Sequence, residues 1–260
     1  MTRFCLIVFT VIVILSGSFL AQAQTDGLLL YLPFDDGSGD IATNTVGDDG
    51  VLMDSPQWVA GKFGGALEFN GTSNYVDVPL DLSPQAPGNQ GAISICAWVK
   101  VLEVNTDTAG QTRQPIVMKG NSGEWEYALY VHDDFGAGMS VWDCGGTGVA
   151  EPSAAGTLPQ GEWHHVCSTF DVTNGVTVYV DTVEVAQQAP NGNEPCDGTF
   201  NVLIASRIDG QFLQAVIDEV AIWDRVLSIT EIEQNMVGGL TTAVEPGDKL
   251  TTTWAAVKDR

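Results

Sequence analysis

Basic residues are scarce in this chain. Ten Lys and Arg stand against 33 Asp and Glu, giving a formal net charge of −23 over 260 residues. Such a field repels nucleic acid and anionic lipid, so a nucleic-acid partner is excluded. Long apolar runs are also lacking beyond the first residues, and no later stretch is suited to crossing a bilayer as a helix. The opening stretch differs. Arg3, the apolar run Phe4 to Leu15 and the small-x-small Ala21-Gln22-Ala23 read as an export signal cleaved after Ala23. Cys5 leaves with that signal, and Cys96, Cys144, Cys167 and Cys196 remain. An even number in an exported chain predicts two disulfides, with three pairings open. The expected location is secreted, extracellular or periplasmic.

Helical periodicity is nearly absent. Short apolar or alternating runs follow one another, separated by Gly, Asn, Asp and Pro. Strands are expected at 28–34, 66–69, 75–78, 92–101, 116–118, 127–131, 139–142, 163–170, 176–185, 201–206 and 213–223. Val176, Val178 and Val180 form the inward set of one, with Thr177 and Tyr179 opposite. One short helix of about two turns is expected after Ser228, which has capping-box spacing to Glu231 and Ile229, Ile232 and Met236 at helical intervals. Segments 80–91 and 145–161 read as loops, and residues 238–260 as a tail or linker. The fold class is therefore an all-β sandwich with one short C-terminal helix. Residues 1–23 are the signal and 24–237 the domain.

Five stretches in order carry a family resemblance: Leu32-Pro-Phe-Asp-Asp-Gly-Ser-Gly39, Gly61-Lys-Phe-Gly-Gly-Ala-Leu-Glu-Phe-Asn70, Tyr75-Val-Asp-Val-Pro79, Glu162-Trp-His-His-Val166 and Ile217-Asp-Glu-Val-Ala-Ile-Trp223. Together they resemble the laminin-G-like, concanavalin A-like jelly-roll domains of bacterial secreted proteins, over about residues 27–237. The resemblance implies two antiparallel sheets. Ile93-Ser-Ile-Cys-Ala-Trp98 and His165-Val-Cys-Ser-Thr-Phe170 look like the two disulfide-joined strands of the related pentraxins. That likeness implies Cys96–Cys167, and with it Cys144–Cys196.

Glycosidases on this fold alternate three acids along one strand. The nearest pattern here, Glu124-Trp-Glu126, lacks the third, and Asp218 and Glu219 are adjacent and expected on opposite faces. His164 and His165 are likewise adjacent, and His132 beside Asp133 and Asp134 reads as a solvated turn rather than a Zn site. No catalytic residue is assigned. Calcium suits the acids better: Asp35, Asn70 and Asp218 form the expected ligand set of a structural Ca²⁺, because a jelly roll can bring its first and last strands together. Trp98, Trp163 and Trp223 are expected in the core. Sugar recognition needs aromatic platforms and planar polar groups, and Asn121, Glu124, Trp125, Trp142, Arg207 and Asp209 are the candidate ligand-binding residues. The reading is a secreted, non-catalytic binding module for a glycan or glycosylated surface. The alternatives are a structural or adhesive domain contacting a cell-surface protein and, less favoured, a glycoside hydrolase.

Overall fold

The computed structural model describes residues 25–79, 91–104, 112–121, 123–207, 209–238 and 240. The signal segment, most of the 80–91 loop and nearly all of the C-terminal tail lie outside the described residues. Residues 27–239 form one compact unit.

Two antiparallel sheets make the sandwich. The first runs in the spatial order β15 (Val183–Gln188), β14 (Gly175–Val180), β13 (Trp163–Asp171), β7 (Ala92–Glu103), β19 (Gln214–Trp223), β5 (Gly65–Asn70), β4 (Gln57–Ala60), and β1 (Leu28–Leu32) pairs with the C-terminal half of β19. The second runs β11 (Gly148–Ala150), β10 (Ala137–Trp142), β9 (Glu124–His132), β8 (Arg113–Asn121), β16 (Val202–Ile204), β6 (Tyr75–Val78), β3 (Gly50–Met53), β2 (Ile41–Ala42), with β12 (Ser153–Ala154) on β10. A small ribbon pairs β17 (Ser206–Arg207) with β18 (Gln211–Phe212).

Period-two alternation turns one face of each strand inward. Ile93, Ile95, Ala97 and Val99 of β7 meet Tyr127, Leu129 and Val131 of β9 in one core, and Val176, Val178 and Val180 point there as expected. Each Val, Leu or Ile so buried contributes roughly 1.5–3 kcal/mol. The expected strand at 176–185 is a hairpin instead. Asp181 and Thr182 adopt left-handed φ of 49° and 69°, the geometry that turns β14 into β15. The segment read as the loop 145–161 contributes β11 and β12.

The helix α1 (Ile229–Gly238) runs nearly three turns. The Ser228 amide donates to Glu231 Oε2 at 2.8 Å, and the Glu231 amide returns a bond to Ser228 Oγ at 3.4 Å. Trp98 and Trp223 are buried but lie outside the inter-sheet core, as does half-buried Trp163. Ser94, Cys96, Trp98 and Lys100 alternate with the core residues of β7, which places Trp98 on the outer side of the first sheet. Trp98 and Trp223 are thus buried as expected, and only Trp163, half-buried, departs from the core expectation.

Candidate functional site

The outer face of the second sheet carries a continuous row. Cross-strand register aligns Val51, Asp77, Leu203, Met118, Ala128 and Ser140 across six strands. Met118, Ala128 and Tyr130 form a small apolar floor, on which half-buried Trp125 and Trp142 pack. The Tyr130 ring lies over Gly138, where a Cβ would meet the ring at 2.6 Å. Trp125 and Trp142 stand edge to face with centroids 6.3 Å apart. The Arg207 guanidinium lies 4.9 Å over the Trp125 ring and is held by a two-pronged pair with Asp209. Arg113 lies 5.2 Å over Tyr130, and its Nη1 donates to Glu151 Oε1 at 2.7 Å. The same oxygen accepts Trp142 Nε1 at 2.8 Å.

Beside this aromatic cluster a pocket of about 240 Å³ opens, lined by Asp77, Gly120, Thr199, Phe200, Asn201 and Leu203. Its wall is irregular chain, yet it is tied down at several points. Cys144–Cys196 anchors it, and the Cys196 amide donates to the Trp142 carbonyl at 2.9 Å. Glu124 Oε2 accepts the Thr199 amide at 3.1 Å. Lys119, fully buried, pairs with fully buried Glu126 and donates to the Gly198 carbonyl at 2.8 Å. Glu126 is thus committed to a buried ion pair, and Glu124 to the pocket wall. The β8–β9 pairing sets Asn121 opposite Glu124, at the hairpin end. Five of the six sequence candidates, Glu124, Trp125, Trp142, Arg207 and Asp209, make contacts at this end of the sheet, with Asn121 beside them. Sequence reading missed Asp77, Thr199, Phe200, Asn201, Arg113 and Glu151. The alternation Tyr75-Val-Asp-Val carried a signal for Asp77, since Val76 and Val78 point inward.

The acids proposed for calcium divide. Because β1 pairs with β19, Asp35 and Asp218 converge on the loop 61–65. Asp218 Oδ2 accepts the Lys62 and Phe63 amides at 2.8 and 3.0 Å, and Asp35 Oδ1 accepts the Gly65 amide at 2.7 Å. The approach is close enough to demand glycine. A Cβ on Gly61 would sit 2.6 Å from Asp218 Oδ2, and one on Gly64 2.0 Å from Asp35 Oδ1. Asn70 is not there. It pairs with Gln214, four residues before Asp218, and its Oδ1 accepts the Thr72 and Ser73 amides at 2.9 and 3.0 Å. Its oxygen serves its own turn, away from Asp35 and Asp218. Glu219 takes its place in the neighbourhood. A register shift between Asp218 and Ala221, with Glu219 at φ 55°, breaks the alternation expected of adjacent residues. Glu219 Oε2 accepts the Tyr31 hydroxyl at 2.5 Å. Burial and then the Glu219 charge push Asp218 up to about 7, against the pull of the Phe63 amide. Burial, with Asp35 adding to it, pushes Glu219 to about 6. Asp218 Oδ1 is buried with no hydrogen-bond partner.

The histidines are engaged elsewhere. His132 Nδ1 meets Asp133 Oδ1 at 2.8 Å and its Nε2 meets Thr112 Oγ1 at 3.2 Å. His164 Nδ1 meets Asp181 Oδ2 at 2.7 Å, and buried His165 Nε2 meets Asn235 Oδ1 at 2.7 Å. Cys96–Cys167 joins residues directly opposite on β7 and β13, so both bridges are the ones the pentraxin likeness implied.

The laminin-G family model described as the concanavalin A-like lectin/glucanases superfamily matches residues 70–233. The chain belongs to this family. Solved structures show this laminin-G-like sandwich in several settings. The binding domain of Paraclostridial Mosquitocidal Protein 1 superposes with a TM-score of 0.61 at 15% identity, over 81% of this chain and 52% of that one. The binding domain of botulinum neurotoxin DC in complex with SialylT gives 0.62 at 10%, over 81% and 51%. Domain 4 of AbnA, an extracellular arabinanase from Geobacillus stearothermophilus, in complex with arabinotriose, gives 0.58 at 18%, over 80% and 97%. The laminin-G-like chain spans about half the length of the two toxin domains. A search of curated sequences finds no match. Among the described residues no helix is long and apolar enough to cross a membrane.

Proposed function

We propose that this is a secreted, non-catalytic binding module that holds a glycan on the outer face of its second sheet. The observation carrying this reading is the half-buried Trp125–Trp142 pair, with Arg207 stacked on it, standing on a flat sheet floor beside an open pocket. Ring faces take up the C–H faces of sugars, and flanking carboxylates and guanidinium groups orient hydroxyls. The structural neighbours in complex with arabinotriose and with SialylT support it as analogy of fold. The export signal and two disulfides support secretion.

A structural Ca²⁺ beside Asp35 and Asp218 belongs to the same proposal. Asp35 and Asp218 both accept amides of the loop 61–65, Glu219 follows Asp218 in the chain, and Asp218 keeps an unbonded buried oxygen. A divalent ion there would supply the missing positive charge and tie β1, β19 and the loop 61–65 together.

The test is a glycan-array screen of the mature domain and of Trp125→Ala and Trp142→Ala, with and without EDTA, beside the thermal midpoint. The reading expects array binding that both variants lose while remaining folded, with a midpoint lowered by the lost packing. Array silence, or binding untouched by both variants, would refute it and favour a protein-contacting role.

A further inference from the structure

We infer that the pocket beside the tryptophan pair is a subsite for one uncharged sugar ring; this rests on the glycan-binding reading above. Three features carry it.

The first is size. At about 240 Å³ the pocket falls below the roughly 300–1,000 Å³ of sites that take drug-sized ligands, which leaves room for a single ring rather than a chain. The second is chemistry. Asn201 Nδ2 donates to Asp77 Oδ1 at 2.7 Å, which fixes both planar groups and leaves Asp77 Oδ2 and Asn201 Oδ1 unclaimed by protein among the described residues. Two acceptors at one rim suit the two O–H donors of a vicinal diol. Phe200 and Leu203 give the apolar surface for the ring's C–H groups. Among the described residues no Lys or Arg lines the pocket. The nearby Lys119 and Arg207 are already paired with Glu126 and Asp209. An anionic sugar would meet the Asp77 carboxylate without a countercharge, in a chain of net charge −23. The third is rigidity. The wall from Gly198 to Asn201 is not part of a strand, yet a disulfide, a buried ion pair and the Glu124 carboxylate hold it. Ordering that wall in advance lowers the entropy lost on binding.

The experiment is titration calorimetry of the mature domain with methyl glycosides of glucose, galactose, mannose, xylose and arabinose, and with glucuronate and N-acetylneuraminate. Asp77→Ala and Leu203→Trp, which puts an indole into the pocket, are measured alongside, with circular dichroism and the thermal midpoint as fold controls. Trp125→Ala on the array hit supplies the second arm. The expected result is binding of at least one uncharged glycoside, weakened tenfold or more in both pocket variants at retained fold, and none of the two acids. Array binding lost in Trp125→Ala but unchanged in both pocket variants overturns the subsite and leaves the wider reading standing. A preference for the acids does the same. Absence of binding to every glycan overturns both.

Discussion

Lys119 shows how much a single residue can be asked to do. Its ammonium is fully buried, with Glu126 on one side and the Gly198 carbonyl on the other. Removing one member of such a pair strands the other charge, at a cost of about 3–5 kcal/mol, whereas replacing both by apolar groups is often neutral. Lys119→Met is therefore expected to lower the denaturation free energy by that amount, and Lys119→Met/Glu126→Leu to recover most of it, read by guanidinium unfolding. An equal loss in both variants would contradict the pairing. Nothing in the local sequence betrayed this role. Lys119 follows the expected strand 116–118, and the Gly198 carbonyl and Glu126 that enclose it come from distant and neighbouring segments. Trp125, Trp142, Arg207 and Asp209 were legible because aromatic and charged side chains cluster near turn signals. Arg113 and Glu151 were not, since their meeting depends on β12 and the chain after β11 folding back along β10.

At the scale of the element, the long strands β7, β9, β13 and β19 were readable from apolar alternation and β-branched content. Some short ones, such as β6, were readable too, but others were not. β2, β3 and β4 hold two to four residues each among Gly, Asp and Pro, too few for a period to declare itself. The Asp181-Thr182 turn hid inside an apolar run because a β-branched residue rarely takes a left-handed φ. The two disulfides divide the labour between elements. Their sequence separations are 71 and 52, so the chain-entropy account makes their contributions differ by only about 0.3 kcal/mol. Each double Cys→Ala variant is expected to lose about 2–5 kcal/mol. Their effects on binding should part company. Cys96–Cys167 joins strands that the ladder already pairs, whereas Cys144–Cys196 holds the pocket wall. Array binding should survive loss of the first and fall with loss of the second. The reverse order would contradict the assignment of the wall.

At the scale of the whole molecule, acidity and protonation are linked. Asp218 and Glu219 have folded values raised to about 7 and 6, so the folded state binds more protons than the unfolded chain. Their contribution is full below the unfolded values near 4 and is lost as pH rises through 6 and 7. His165 acts oppositely. Burial lowers it to about 4, so its contribution is lost as pH falls from about 6.5 to 4. The interval from pH 6.5 to 8 therefore isolates the acids. In EDTA the thermal midpoint should fall across that interval, less steeply in Asp218→Asn, and millimolar Ca²⁺ should raise it more at pH 8 than at pH 5. A midpoint indifferent to Ca²⁺ at both would contradict the calcium reading. The meeting of Asp35 and Asp218 was foreseeable from the neighbouring first and last strands. The place of Glu219 was not, because a β-bulge leaves no mark in the alternation of residue types.

The most direct test of the glycan-binding face is a titration of the ¹⁵N-labelled mature domain with uncharged gluco-, xylo-, manno- and arabino-trisaccharides, following the tryptophan indole N–H signals. Saturable shifts at Trp125 and Trp142, with the amides of Asp77 and Asn201 moving and Trp98 and Trp223 still, are the predicted result. Shifts centred on Trp98 and Trp223, or none with any trisaccharide, would contradict it.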